Sequence, residues 1–266
     1  MKTFKAIKFF IILTTILVIS ANSNLRAQQD ISSIFSKMIQ DTVQKYSQII
    51  TNSISADLNS GLFQVTKEKN KFSVYVGIKA FGSFLNDRDK FPGYMERMTV
   101  IPLAIVQVGV GSFMGTDVFG RFLPKVGYYN YGSISAWGLG IQHNFAKDFK
   151  KMPFDITVQF VTQNFNINDS KDNNVFSLNS LDASLMFSKR IKLLTLYSTI
   201  QYESTGSEVN YNITVPKAKT ISVTCQNDNK IRIVTGFNLK MGPINFNADY
   251  NFGQQNAVSA GIGCGL

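Results

Sequence analysis

Charged side chains recur on the polar faces of stretches in which apolar and polar residues alternate: Lys79, Arg121, Lys125, Asp155, Asp182, Arg232, Lys240 and Asp249. A strand sends successive side chains to opposite faces, so in a sheet closed on itself one such face lines a lumen. Guanidinium and ammonium donors match carboxylate and phosphate oxygens. Arg121, Lys125 and Arg232, with Lys79 and Lys240 beside them, are therefore the candidates to hold the head of an anionic or amphipathic solute. The opposing expectation, favoured because ionic networks are common without transport, is a lumen closed by Arg–Asp pairs that only keep the barrel rigid.

Other chemistry is weakly supported. His143 is the sole histidine; alternation puts it on the outer face with Ile141 and Phe145, and no carboxylate stands at a spacing that would orient it as a base. Gly109, Gly111 and Gly115 after an apolar run depart from dinucleotide-loop spacing, and a strand containing Pro124 follows where a helix is needed. Asp169 and Asp172 sit in an Asn-rich loop without the ordered ligand spacing of a calcium site. One histidine and two distant cysteines make no metal cluster. The expectation is a protein with no catalytic residues, no cofactor and no metal, and with Cys225 and Cys264 unpaired.

The elements that must position these charges begin after a leader. Lys2, Lys5 and Lys8 precede an apolar run from Phe9 to Ile19, and Leu25 and Ala27 stand where a signal peptidase reads. Residues 1–27 are expected to be a cleaved signal peptide, 28–52 an amphipathic helical segment and 53–266 a barrel. Ile31, Ile34, Phe35, Met38, Ile39, Val43 and Tyr46 recur at helical spacing. That helix could plug a lumen, lie on the membrane or dock on a partner; packing on its own barrel is the favoured expectation. Asn52 to Lys71 reads as an irregular connector turning at Gly61.

From Phe72 the period becomes two. Val100 to Gly111 is apolar on both faces, which suggests a strand buried against the helix and not an ordinary wall strand. Asp117–Val126 carries Pro124, tolerable at an edge, bulge or strand end. Ser133–Phe145 puts Trp137, Leu139, Ile141 and Phe145 on one face. A tight turn is read at Lys189-Arg190 and another at Gly242-Pro243. Polar loops are read at Asn86–Gly93, Asn166–Asn174 and Ser204–Lys230, the last with a small hairpin through Val209–Ile213 and Thr220–Thr224. The total is about ten strands, an even number; with both termini periplasmic, short turns fall inside and long loops outside, as outer-membrane barrels require.

The terminal stretch carries the closure argument. Ile244, Phe246, Ala248, Tyr250 and Phe252 alternate with polar residues, and Val258, Ala260, Ile262 and Cys264 alternate with serine and glycines. Pairing this last strand with the first removes an exposed edge. Beyond the leader no apolar run is long enough for a membrane helix, so membrane residence falls to strands. Four of the 27 lysines and arginines lie in the leader, leaving 23 basic against 17 acidic residues, scattered, with no nucleic-acid footprint. The expected fold is all-β: a single antiparallel transmembrane barrel of about ten strands in the outer membrane, with outer-membrane lipid as its surroundings. Its expected role is a channel or carrier for small amphipathic or hydrophobic solutes, or a non-transporting adaptor whose outer loops meet a protein partner. A soluble lipid-binding barrel would bury its apolar faces instead.

The stretches "LNSGLFQVTKEKNKF" after a helix, "GTDVFGRFLPKVG", "WGLGIQHNF" and "PFDITVQF" resemble an uncharacterised family of Bacteroidetes-type outer-membrane barrels, distantly similar to the long-chain fatty-acid transporter barrels. The resemblance spans roughly Ile31 to Leu266. It implies a barrel fold, and by analogy with the hatch inside the transporter barrels it implies a plug-like helix. It names no reaction.

Overall fold

Period-2 alternation becomes wall strands wherever one face meets the lumen and the other meets the surroundings. The computed structural model describes residues 40–62, 72–85, 99–113, 115–127, 132–145, 153–213, 219–228 and 230–265. A helix α1 (Gln40–Leu58) precedes β1 (Ser73–Phe84), β2 (Val100–Phe113), β3 (Thr116–Gly127), β4 (Ser133–Asn144), β5 (Asp155–Asn168) and β6 (Asn174–Ile191). Then come β7 (Leu194–Ile213), β8 (Lys219–Gln226), β9 (Ile231–Met241), β10 (Ile244–Phe252) and β11 (Ala257–Gly265). The strands run antiparallel, and β1 pairs with β11 to close the wall. β8 and β9 both lie along β7, against Gly206–Ile213 and Leu194–Tyr202 respectively, so they are two halves of one broken wall position. The result is a closed antiparallel barrel of ten wall positions.

Side chains on the outward face form an apolar belt. Val76, Val108, Phe122, Leu139, Phe160, Leu181, Ile200, Ile233 and Phe252 are all exposed on it. Closure satisfies the backbone within that belt, the condition for crossing hydrocarbon. Among the described residues no helix is long and apolar enough to cross a membrane. A soluble lipid-binding barrel is incompatible with this belt.

Above the belt the wall is taller on one side. β6 has 18 residues and β7 has 20, whereas β10 and β11 have nine each. Of the stretches read as long polar loops, Asn166–Asn174 narrows to five residues and Ser204–Lys230 is largely strand. Only 169–173 separates β5 from β6, and Ser204–Lys230 is the top of β7 followed by β8, which includes the expected hairpin. Their outward residues are polar because they stand above the lipid. Asn164 donates to Asn179 Oδ1 at 3.0 Å and Asn174 to Asn166 Oδ1 at 3.1 Å, an amide ladder across strands. The turn read at Lys189-Arg190 lies slightly later, at Lys192, whose φ is 56°. Asn86–Gly93 and the leader fall outside the described residues.

β2 corrects another expectation. It pairs with β1 and β3 as an ordinary wall strand, with Val108 and Val110 outward and Leu103 and Ile105 inward against the helix. It is apolar on both faces because one meets the belt and the other meets the plug. Around Pro124 the β3–β4 register shifts between Leu123 and Val126, the irregularity a missing N–H demands. Cys225, buried in β8, and Cys264, exposed in β11, are both free.

Helix α1 continues through Ser53–Leu58, where an irregular connector was expected. Its last two turns carry only a sparse stripe, Ile54 and Leu58, between Ser53, Ser55 and Asp57, which are buried in the lumen. Val43, Ile54 and Leu58 join Phe81, Leu103, Ile105, Phe165, Phe176 and Leu178 in one buried cluster at the upper part of the barrel. Each such large apolar side chain contributes about 2 kcal/mol by leaving water. Of the residues read as the apolar stripe, Val43 is fully buried; Ile31 to Ile39 lie outside the described residues.

Candidate functional site

The lumen is occupied by α1. Ser47, Thr51, Ser53, Ser55, Asp57, Asn59 and Ser60 are wholly buried, and buried polar groups are costly unless bonded. Ser47 and Ser60 donate to the helix's own Val43 O and Ala56 O and Ser53 Oγ has no partner, while the wall bonds others at successive heights. Gln48 Nε2 donates to Gln226 O at 2.6 Å and Asn52 Nδ2 to Asp228 Oδ2 at 2.9 Å near the rim. Lower down, Thr51 and Ser207 hydroxyls stand 2.5 Å apart, and those of Ser55 and Thr205 2.8 Å apart. Asn59 Nδ2 donates to Glu203 Oε2 at 2.7 Å and to Ser180 Oγ at 3.1 Å.

A helix ends with carbonyls that have no partner of their own and with a partial negative charge. Here wall side chains cover the end. Arg121 donates from Nη1 to Leu58 O and from Nη2 to Ser60 O at 3.1 Å. Lys79 Nζ donates to Gly61 O. Gln163 Nε2 reaches Leu58 O at 2.9 Å, Gln201 Nε2 reaches Asn59 O at 3.2 Å, and Gln159 Nε2 reaches Leu62 O at 3.2 Å. Arg121 also donates to Gln163 Oε1 at 2.6 Å, and its Cζ stands 5.1 Å from the Phe81 ring centroid, a cation–π contact. Gly61 turns the chain at φ 60°, where a Cβ would come within 2.7 Å of the Phe81 ring. Glycine is required by both the backbone and the close approach.

Three of the expected lumen cations are therefore brought inside. Arg121, Lys79 and Arg232 are each 1% exposed. Arg232 Nη1 donates to Gln255 O at 2.5 Å, and its Nε lies 2.9 Å from Glu203 Oε1, an ion pair off hydrogen-bonding alignment. Asp182 faces Glu203 across the β6–β7 pair, both fully buried. Asp249 accepts the Tyr197 hydroxyl at 2.8 Å. Lys125 lies elsewhere: about half its side chain is exposed, and it pairs with Asp172 in the β5–β6 loop, because the irregularity at Pro124 ends the inward alternation. Lys240 is half-buried beside the Gly242-Pro243 turn, at the far end of the barrel from the helix's first turn. Asp155 is half-buried at the start of β5.

Below the helix end a small chamber is lined by Asn59, Leu62, Gln159, Met186, Tyr197 and Asp249, with room for about one water molecule. His143 shares a 2.8 Å hydrogen bond with Thr116 Oγ1 and meets the Phe145 ring edge-on, as an outward residue of β4.

A model for a protein family of unknown function (DUF6588) matches residues 91–266. The chain belongs to that family. The match begins beyond β1, so the helix of this DUF6588 protein lies outside the matched span. No curated protein sequence matches the chain. Among solved structures, the translocator domain of the autotransporter NalP from Neisseria meningitidis is 12% identical, covering 73% of this chain and 88% of that one, with a TM-score of 0.40. The β domain of the Bordetella autotransporter BrkA is 10% identical over 73% of this chain and 99% of that one, TM-score 0.37. Ail of Yersinia pestis, solved with a heparin analogue, is 11% identical over 75% and 100%, TM-score 0.32.

The lumen partners that sequence reasoning missed are Asn59, Gln159, Gln163, Gln201 and Glu203. Gln159 was legible as an inward residue by alternation, but a glutamine on a polar strand face does not announce that its amide will meet a helix terminus. Glu203 stood at the edge of a stretch read as strand end and loop.

Proposed function

We propose that this DUF6588 protein is an outer-membrane barrel sealed by its own amino-terminal helix, a non-conducting anchor that presents the tall β5–β8 wall to the exterior. One observation carries the reading. The helix is bonded to the wall through Gln48, Asn52, Thr51 and Ser55 and at its end, and the cations that would serve a passing anion are already committed: Arg121 to Leu58 O and Ser60 O, Lys79 to Gly61 O just beyond the helix, Arg232 to Glu203. Location in the outer membrane is supported by the closed wall and its exposed apolar belt. A protein partner would meet the polar top of β5–β8 and the loops above it.

A second reading treats the helix as a hatch. Beneath it the buried amide oxygens of Asn238 and Asn245 carry no hydrogen-bond partner, more polarity than a merely rigid wall needs. Together with the resemblance to fatty-acid transporter barrels, this favours a carrier in which displacing α1 frees Arg121 and Lys79 for an amphipathic anion. Conductance of the intact chain in planar bilayers separates the two. The sealed anchor gives no steady ion current; a persistent current through the unmodified protein overturns it in favour of the hatch.

A further inference from the structure

The direction of α1 carries a consequence for which side of the membrane its first residue occupies. The Gln48 and Asn52 end touches Gln226 and Asp228, at the foot of β8 where it pairs with Gly206, above the Thr205 and Glu203 that meet Ser55 and Asn59. The Leu58 end lies deep, at the level of Gln163 and Arg121. Leu62 then packs on Phe119 and Val161, lower still on β3 and β5. The chain thus descends through the barrel and begins β1 at the end that carries the short turns at Lys192 and Gly242 and the end of β11. Barrels place short turns on the periplasmic side and long loops outside.

We infer that α1 enters the barrel from the exterior, so that the protein holds its own amino-terminal segment across the outer membrane and presents it at the cell surface. The expectation that both ends of the mature chain are periplasmic is thereby replaced for the amino end. The helix sense agrees with the charges: the carbonyl end, partially negative, meets Arg121 and Lys79, whereas a helix inserted the other way would aim its positive end at the same cations. The ten residues 63–72 reach at most roughly 35 Å, enough to run from mid-barrel to the start of β1. A return of the upstream chain to the periplasm would need a second passage beside the helix. That α1 leaves no such passage is the sealed-lumen reading, and in that respect the inference rests on it.

Gln44 and Lys45 are exposed in the first turns of α1. Cysteines placed there one at a time (Gln44→Cys, Lys45→Cys) are treated in intact cells with a membrane-impermeant maleimide. Lys171→Cys in the β5–β6 loop serves as the outer reference and Lys189→Cys near the β6–β7 turn as the inner one, with the unmodified chain as blank. The expected result is labelling of the helix cysteines to at least about half the extent of Lys171→Cys, with Lys189→Cys reacting only after the outer membrane is permeabilised. Protection of both helix positions in intact cells while Lys171→Cys reacts overturns the inference, and so does reaction of Lys189→Cys with Lys171→Cys protected. The labelling is independent of current. A conducting intact protein would sink the sealed anchor and leave the orientation standing, whereas protected helix cysteines would sink the orientation and leave a sealed barrel untouched.

Discussion

Arg121 is the residue on which the helix end depends most. Removing its side chain strands Ser60 O and Gln163 Oε1 in the interior and leaves Leu58 O to Gln163 Nε2 alone, and each buried unsatisfied group costs about 1–3 kcal/mol. Arg121→Ala should therefore destabilise the barrel by about 3 kcal/mol in urea unfolding from detergent micelles, with Arg121→Lys recovering part. A loss below ~0.5 kcal/mol would mean the helix end is not held there. At the outer loop, hydrogen bonds from Lys125 and then Asn168 hold the Asp172 carboxyl below the usual carboxylate range. A depressed folded value means the contact contributes above the ordinary range and is lost as pH falls through the depressed one. A carboxyl-detected NMR titration should show that depression, and Lys125→Met should raise the value toward normal. Sequence alternation sufficed to place Arg121, Arg232 and Lys79 inside, because a side chain's face follows from its parity along the strand. It failed for Lys125, where the Pro124 irregularity breaks parity, and it could not say that the cations are already bound.

At the scale of elements, α1 is the part the sequence concealed. Ser53, Ser55, Asp57, Asn59 and Ser60 read as connector because helix recognition leans on an apolar stripe, and at that end the stripe thins to Ile54 and Leu58 among buried polar residues. The same reasoning read Ser204–Lys230 as an interruption of the wall, although the hairpin expected within it is the top of β7 with β8. Their polar outward residues look like loop when the tell-tale is only the inward alternation of Val209, Val223 and Cys225. Burial, with Asp228 nearby, raises the Cys225 thiol above its ordinary range, so this cysteine stays largely protonated and slow toward maleimide. If α1 is what closes the lumen, deleting Gln40–Leu58 should turn a silent barrel into one that passes small ions in liposomes. An equally silent deletion variant that still shows its strand content would mean the wall has collapsed onto itself.

The whole molecule was the most legible level. Antiparallel strands, the pairing of the last with the first and the count of ten all follow from period-2 alternation and the need to leave no edge. The height difference between β6–β8 and β10–β11 was hidden, since it depends on where lipid ends along each strand. That boundary is testable. Phe160 lies in the belt and Asn166 above it on the same strand face. Phe160→Arg should cost about 2–4 kcal/mol in bilayers, while Asn166→Arg should cost near zero. Equal costs would place the membrane elsewhere.

All of these levels meet in the placement of α1 inside the wall. The hydroxyls of Ser55 and Thr205 stand 2.8 Å apart, on the helix and on β7, close enough for a disulfide when both become cysteine. The measurement is therefore the mild oxidation of Ser55→Cys/Thr205→Cys in native outer membranes, read by non-reducing electrophoresis after cleavage at a protease site engineered between α1 and β1. A sealed barrel gives two fragments that stay joined until reduced. Fragments that separate without reductant, from a protein whose barrel is folded, would contradict the account, because the helix would then lie outside the lumen it is held to fill.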